Sequence, residues 1–467
     1  MMTKETNKLQ PASSAGKEVP GPETLNRAAL PIAALALPIV LESVFRMMLS
    51  SVDTIMLSSW SQEAVAGVGL VSQYIFFIQI LFSVICVGTS IVLSQYLGAK
   101  RMEESGQVAQ ASALMVILAG LVMSAVVIVG AKPLLSAYRV ETGVRTFAWQ
   151  YLVVFGGAGS VFTAFSMLQG TILRSYGYTR DAMYIAVAAN VLNVLGNALS
   201  LYGWFGLPVT GVVGVAASSA FSQAASCLLL SWRMRTLPGL RKPGRRREAV
   251  PRAIYRKILS IGVPTAGESL AYNVSQIVIM IMITSLGTWA MSAQVYAQTI
   301  VRFVYVIALS IGNAVQIKTG YWVGARQSET AYRKVWRYQL VGTLISVALV
   351  LLLNLVKMPA IGIFTREPEI AAIMKQLFII SLYIEIGRSL NLITIPALKG
   401  AGDVRFPVMM GIISMWGISV PFSYLLGIRL GLGMVGIWIA LGTDEMLRGI
   451  VMLFRWKSRI WQGKAIV

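Results

Sequence analysis

The chain has 467 residues, of which 56% are hydrophobic and 13% are charged, and its mean hydropathy is +0.70. This composition is typical of a membrane protein with many spans and excludes a soluble multidomain protein. The net charge of +21 is explained by basic cytoplasmic links in such a protein, so we predict no nucleic-acid partner. The chain has no histidine, and its two cysteines, Cys86 and Cys227, lie inside apolar runs, so we predict no metal site and no cofactor.

Hydropathy indicates twelve stretches that are long enough to cross a bilayer as helices. They lie near residues 30–57, 64–93, 107–130, 146–172, 181–201, 210–232, 258–286, 290–318, 334–356, 371–397, 405–427 and 433–454. We therefore predict an all-α integral membrane fold with twelve transmembrane helices.

The links between these spans differ in charge in a regular way. Links after even-numbered spans are basic, whereas those after spans one, five and seven contain no Lys or Arg. The link after span three is the weakest fit, because it carries Lys132, Arg139 and Arg145. Basic links stay in the cytoplasm, so we predict a multi-pass protein of a bacterial cell membrane with both termini cytoplasmic. The tails are then residues 1–28 and 456–467.

The two halves of the chain repeat each other. A shift of 226 residues places Pro38 over Pro264 and Glu42 over Glu268, without a gap across 38–103. Each repeat has six spans, so the repeats are parallel and related by an axis along the membrane normal. We predict two six-helix bundles around a central cavity. The N-lobe is 29–232 and the C-lobe is 258–455, and a basic cytoplasmic linker at 233–257 joins them.

The first span carries three charged residues, Glu42, Arg46 and Asp53. Each costs about 2.5–3.5 kcal/mol at the bilayer centre. Glu42 and Arg46 are one turn apart and can pair, but Asp53 has no basic residue one turn away. It must face a polar cavity, find a distant partner or stay protonated, and a carboxyl that can hold a proton is a proton-carrier candidate. The alternative is a structural acid satisfied by hydroxyls such as that of Ser50.

Two further features of this span concern its mechanics and its repeat. Pro38 removes a backbone hydrogen bond, which predicts a hinge. The shift of 226 residues places Ile279 opposite Asp53, so the proton-carrier candidate belongs to the N-lobe alone.

Span five carries three amides on one helix face, Asn190, Asn193 and Asn197. We interpret them as the lining of a cation or substrate pocket, which Gln169 at the end of span four is expected to join. The alternative is that they are interhelical hydrogen-bonding residues with a packing role only.

The C-lobe contains other polar residues within its spans, and they form a second group of candidates. Glu385 and Arg388 are one turn apart and are expected to pair. Glu268 repeats Glu42, but Tyr272 stands where the first half has Arg46. We interpret these residues as structural pairs rather than proton carriers.

Four stretches of the sequence together resemble the MATE (multidrug and toxic compound extrusion) transporter family. They are LPIVLES with VDTIML and AVAGVGL, ILRSYGYTRDAM, NVLNVLGNALSLYGWFGLPVTGVVGVA, and ALKGAGDVRFPV. The resemblance covers about residues 35–455. It implies two bundles that open alternately to the two sides, and export driven by protons or sodium.

Within that family the VDT aspartate and the RDAM-type turn are similar to the proton-coupled, DinF-like branch. By that likeness Asp53 corresponds to the protonated acid, Asn193 to its partner amide and Pro38 to the bending proline. Gln169 stands where that branch usually has Asn, and Asn197 where it has a second Asp. A pair of carboxyls sharing one proton therefore cannot form.

No catalytic motif or soluble catalytic domain is present in the sequence, so we predict that the chain is not an enzyme. We predict a monomeric antiporter that exports organic, often cationic, drugs or metabolites in exchange for protons. Two alternatives remain: a Na⁺-coupled exporter of the same family, and a lipid-linked saccharide flippase. Arg302 and Arg388 keep the flippase open, because such flippases have a cationic cavity.

Overall fold

The structure, a computed structural model, describes residues 30–206, 208–237 and 250–467. These ranges contain helices and no β-strand. The tail predicted for 1–28 lies outside the described residues, and so does the centre of the linker predicted at 233–257.

Twelve membrane-length helices account for most of the described chain, which confirms the predicted fold. They are α1 (Ile32–Trp60), α2 (Gln62–Gly98), α3 (Met102–Ser136), α4 (Thr142–Ala158 with Ser160–Ser175), α5 (Thr179–Tyr202), α6 (Gly211–Thr236), α7 (Arg252–Thr284), α8 (Thr288–Gly324), α9 (Ser328–Leu355), α10 (Pro368–Gly400), α11 (Arg405–Arg429) and α12 (Gly433–Lys457). A short helix, Lys357–Phe364, joins α9 to α10.

Two of the twelve helices are irregular, which the apolar pattern does not reveal. The two parts of α4 meet at an angle of 50°, next to a π-helical stretch at Leu152–Ala158. In α11, π-helical stretches occupy Met415–Ser419 and Ser423–Arg429. Wide turns of this kind leave backbone groups free of the regular ladder and often occur at functional sites.

Helices α1–α6 form the N-lobe and α7–α12 the C-lobe, and the lobes meet where α2, α4, α8 and α10 end. We call this end of the molecule the basic face, because Lys100, Arg101 and Arg326 lie in the turns that follow α2 and α8. Helix α2 packs against α7 and α8, and α1 packs against α8. The lobes are therefore joined chiefly through α1 and α2.

The junction of the lobes at the basic face, here called the seam, follows the sequence repeat. A Cβ on Gly98 would lie 2.1 Å from the carbonyl oxygen of Tyr321, and one on Gly324 would lie 2.0 Å from that of Gln95. Gly98 and Gly324 are related by the shift of 226, as are Gln95 and Tyr321. The absence of side chains lets the two backbones touch at two equivalent points.

Two hydrogen bonds that cross the seam also follow the repeat. Gln95 Nε2 donates to the carbonyl oxygen of Gly400 at 2.8 Å, and the Tyr321 hydroxyl donates to that of Ser175 at 2.6 Å. Each bond links the end of one lobe's second helix to the end of the other lobe's fourth. The seam is thus closed by polar as well as steric contacts.

The C-terminal segment, predicted as a cytoplasmic tail at 456–467, packs onto the seam. The indole of Trp461 is fully buried and stacks on that of Trp456 at 4.1 Å. The backbone N–H of Ile466 donates to Gln95 Oε1 at 2.8 Å, and Lys257 Nζ donates to the Ile466 carbonyl oxygen at 3.0 Å. The segment therefore contacts both lobes.

Candidate functional site

The first candidate site is a polar pocket in the N-lobe around Asp53 of α1. Helix α1 packs against α5, and Asn197 Nδ2 of α5 donates to Asp53 Oδ1 at 2.9 Å. With its amide turned so that every polar contact is satisfied, Asn193 donates to Asp53 Oδ2 at 3.2 Å. Asp53 thus finds a distant partner, one of the three outcomes expected from the sequence, and no described Lys or Arg forms an ion pair with it.

A second layer of polar groups holds the two amides in place. In the same orientation, the Asn193 Oδ1 atom accepts from the Ser219 backbone N–H at 3.2 Å and hydroxyl at 3.0 Å. The Ser218 hydroxyl donates to the Asn193 carbonyl oxygen at 3.0 Å. The Tyr151 phenol, which lies just before the π-helical stretch of α4, hydrogen-bonds Ser219. The pocket is therefore built from α1, α4, α5 and α6.

The chemistry of this pocket suits a carboxyl that changes its protonation state. A carboxylate only accepts hydrogen bonds, whereas a carboxylic acid also donates one. A carboxamide offers both ends, so Asn197 can donate to the carboxylate and, after rotation, accept from the acid. Its Oδ1 atom is buried and has no hydrogen-bond partner in the described structure. That atom is a ready acceptor for a proton on Asp53.

The other predicted pocket amides lie apart from Asp53. Asn190 Nδ2 donates to the Ala186 carbonyl oxygen of its own helix at 2.8 Å. Gln169 is buried and donates to the Ser231 hydroxyl of α6 at 2.5 Å, closer to the basic face. The structure thus groups Asn193 and Asn197 with Asp53 and separates Asn190 and Gln169 from it. Helix α1 runs through Pro38 as one unbroken helix.

Glu42, also on α1, is held by two arginines nearer the basic face. Its carboxylate lies 2.6 Å from Arg46 and 3.1 Å from Arg174 of α4. Glu42 is buried, and the Arg46 side chain is 62% exposed. Removing water from a carboxylate is costly, and two cations offset that cost here.

The C-lobe repeats this arrangement with different residues. Glu268 of α7 pairs with Lys399 of α10 at 2.6 Å. Lys399 follows Arg174 by 225 residues, the shift that relates the later parts of the halves. Both lobes therefore bury one carboxylate against a cation at the end of the fourth helix. The sequence analysis did not pair these cations with their acids, although the repeat offset contains the signal.

A denser ion cluster lies between α10 and α12 of the C-lobe. Arg388 pairs with Glu385 and lies 3.9 Å from Glu445, while Arg448 contacts Glu445 at 3.0 Å and Asp444 at 3.3 Å. Arg388 is thereby surrounded by carboxylates rather than presented as a free cation. Arg302, by contrast, is exposed on α8.

No group of three or more Cys, Asp or Glu side chains suited to a metal ion occurs in the described ranges. The N-lobe pocket contains one carboxyl, and the C-lobe carboxylates are engaged by arginines. The described geometry therefore fits proton exchange better than tight binding of a metal ion.

Comparison with known proteins gives a consistent result. The family model of MatE matches residues 38–199 and 264–425, one match in each half. The chain is 37% identical to the uncharacterized transporter YisQ of Bacillus subtilis (strain 168), over 93% of this chain and 95% of that one. It is 24% identical to a probable multidrug resistance protein NorM of Thermotoga maritima, over 93% of each chain.

Among solved structures, the fold matches an outward-facing conformation of a multidrug resistance MATE family transporter of the MOP superfamily. The TM-score is 0.84 at 21% sequence identity, over 94% of this chain and 98% of that one. The likeness extends over both lobes.

Proposed function

Because this chain belongs to the MATE family of membrane transporters, we propose that it exports small organic, often cationic, compounds in exchange for protons. The name multidrug resistance protein, carried by several relatives, supports the class of substrate. The single observation that carries the coupling proposal is the Asp53 pocket, where a buried carboxyl is held by amides alone. Assignment to the DinF-like branch is part of this proposal.

The orientation of the amides favours protons over sodium as the coupling ion. A sodium ion needs several oxygen ligands directed at it. Here the NH₂ groups of Asn193 and Asn197 point at the carboxylate oxygens of Asp53 and occupy the positions that a cation would take. A proton needs only one carboxylate lone pair. Both amides would have to turn before sodium could bind, whereas rotation of Asn197 alone serves a protonated Asp53.

One carboxyl is enough to drive useful export. A charge moved through 100 mV supplies about 2.3 kcal/mol, and one pH unit supplies about 1.4 kcal/mol. Together they sustain a gradient of about 500-fold for a neutral substrate. The presence of Asn197 in place of a second acid therefore does not prevent coupling.

We propose that the basic face lies in the cytoplasm, because its Lys and Arg residues resist translocation. With the seam closed, the described conformation then opens to the outside, and Asp53 loads a proton from there. Protonation replaces one hydrogen-bond pattern around α1 and α5 with another, and Pro38 gives α1 a point at which it can bend. Parting of the seam would then expose the substrate site to the cytoplasm. The transporter works as a monomer in this scheme.

The flippase alternative is less well supported by the geometry. It depends on free cations facing the cavity, and Arg388 is engaged by Glu385 and Glu445. Arg302 alone remains exposed of the two arginines that suggested it.

The test is transport in everted membrane vesicles with proton and sodium gradients imposed separately. Asp53→Asn keeps the size and hydrogen-bonding capacity of the side chain but removes its titration. We expect proton-driven uptake of a fluorescent organic cation to fall at least tenfold, while equilibrium binding of that cation stays within about twofold. Asp181→Asn is the matched control, because Asp181 lies outside the pocket and pairs with Arg233.

Three results would decide against the proposal. Full proton-driven uptake by Asp53→Asn would show that the proton travels elsewhere. Uptake by the unaltered protein with a sodium gradient alone would establish the sodium alternative. Transport of a lipid-linked saccharide, without transport of any organic cation, would favour the flippase.

A further inference from the structure

A cavity of about 480 Å³ opens at the basic face, between the start of α1 and the ends of α8 and α9. Its polar lining is dominated by three cations, Lys318, Lys334 and Arg337, and no carboxylate is among the described residues that line it. Two aromatic rings, Trp322 and Tyr338, complete the polar side. The volume is in the range of small-molecule binding sites.

The positions of the cations indicate a built site rather than a solvated surface. Lys318 is 4% exposed, and its ammonium group lies 5.3 Å from the centre of the Trp322 ring. The ring of Trp322 stacks on that of Tyr338 at 6.2 Å. Lys334 lies on the first turns of α9, and its charge acts on Lys318. Placing like charges together is unfavourable unless an anion joins them.

The repeat shows that the fold itself does not require a charge here. The position equivalent to Lys318 in the N-lobe is Val92, which is fully buried. The same helix therefore packs well with an aliphatic side chain at this position. The C-lobe has gained a cation where the N-lobe retains a hydrocarbon.

We propose that this cavity binds a phosphate-bearing anion, and that its source is the head group of an anionic membrane lipid. Beside the cavity, α9 presents exposed apolar side chains, Leu340, Val341 and Leu344, that suit contact with acyl chains. Basic pockets between transmembrane helices at the cytoplasmic side are suited to such head groups. Trp and Tyr are enriched at the same depth.

The location gives the bound lipid a role. The cavity is lined by the start of α1 from the N-lobe and by α8 and α9 from the C-lobe. An anion bound there contacts both lobes next to the seam and stabilises the state in which the basic face is closed. This inference does not depend on the coupling ion or the exported substrate.

The experiment measures thermal unfolding of the purified, delipidated full chain in detergent. Three probes are titrated separately: dioctanoyl phosphatidylglycerol, dioctanoyl phosphatidylcholine and inorganic phosphate. We expect phosphatidylglycerol to raise the unfolding temperature in a saturable way, and phosphatidylcholine to have a much smaller effect. Inorganic phosphate at equal concentration should be weaker, because it lacks the acyl contacts. Stabilisation by phosphate equal to that by phosphatidylglycerol would assign the site to a free phosphate compound instead.

The decisive variant is Lys334→Gln with Arg337→Gln, because both side chains are exposed and their replacement should not disturb folding. Its apparent affinity for phosphatidylglycerol should fall about thirtyfold, equivalent to about 1 kcal/mol per cation. Arg252→Gln with Arg256→Gln is the matched control, since it removes two exposed charges at the start of α7.

A second variant, Lys318→Met, removes the buried charge at similar volume and should weaken the same titration. Equal stabilisation by phosphatidylglycerol and phosphatidylcholine would overturn the proposal. So would unchanged phosphatidylglycerol affinity in the double variant, or an equal loss of affinity in the control.

Discussion

The seam between the lobes yields a prediction whose size follows from the structure. Gly98→Ala would place a Cβ atom 2.1 Å from the carbonyl oxygen of Tyr321. Carbon and carbonyl oxygen atoms approach to about 3.3 Å, so the two helices must part by about 1.2 Å. The oxygen belongs to the backbone of a buried helix and cannot rotate away. We therefore expect the closed seam to lose stability relative to the open one.

The magnitude follows from the cost of overpacking. Adding a methyl group to a well-packed contact costs about 1–3 kcal/mol. Because this cost applies only to the closed state, the equilibrium should shift toward the open state by about 5- to 150-fold. Gly324→Ala should act alike, since its Cβ would lie 2.0 Å from the carbonyl oxygen of Gln95. Two separate substitutions with one effect would be difficult to explain by local misfolding.

The assay uses a thiol introduced by Ser94→Cys, in a protein whose own cysteines are replaced by Cys86→Ala and Cys227→Ala. Ser94 is fully buried at the seam and becomes accessible only when the lobes part. The rate of reaction with a hydrophilic maleimide, measured in lipid nanodiscs, should rise by the factor given above. Gly69→Ala is the matched control on the same helix, because no atom lies within 4 Å of its added Cβ.

Unchanged labelling in both Gly98→Ala and Gly324→Ala would refute the reasoning, because it would show that the seam absorbs the methyl group without opening. An equal rise in Gly69→Ala would also refute it. In that case the effect would come from a general change in α2 rather than from the contact.

Three further predictions follow from other contacts. Deleting residues 465–467 removes the backbone bonds of the C-terminal segment to the seam, so the same thiol should react several times faster. Lys399→Gln leaves the carboxylate of Glu268 without its cation and should lower stability by about 3–5 kcal/mol, measured by thermal unfolding; Arg333→Gln, in an exposed pair, should cost less than about 1 kcal/mol. Asn197→Asp puts a second carboxyl against Asp53, so proton-driven transport should become active over a different pH range, measured as uptake against pH; an unaltered profile would separate the two positions.

The architecture could be predicted from sequence because it depends on apolar length and on charge in the links. Both signals are local, and the bilayer makes them strong. The breaks in α4 and α11 could not be predicted in this way, because a π-helical stretch leaves hydrophobic composition unchanged. The twelfth helix is a different case, since Asp444, Glu445 and Arg448 interrupt its apolar character. The repeat, rather than hydropathy alone, indicates that it spans.

The candidate site was predicted in part. Asp53 was identifiable because an acid within an apolar span requires a reason, and Asn193 and Asn197 because their spacing places them on one helix face. The contact between Asp53 and Asn197 joins positions 144 residues apart, which no local pattern contains. The Arg174 partner of Glu42 was missed for the same reason. Comparison of the two halves would have found it, because the offset that relates the acids also relates the cations.

The distribution of these features between the lobes indicates which of them serve the fold and which serve function. The glycines of the seam, its crossing hydrogen bonds and the buried carboxylate–cation pairs occur twice, at equivalent positions, as contacts that support a common architecture should. Asp53 and Lys318 occur once, opposite Ile279 and Val92. A proton on Asp53 therefore changes hydrogen bonding in the N-lobe alone, while the C-lobe keeps its paired ion cluster. We expect α1 and α5 to rearrange against a stable C-lobe, with the lipid-binding cavity acting on the same helix α1 from its other end.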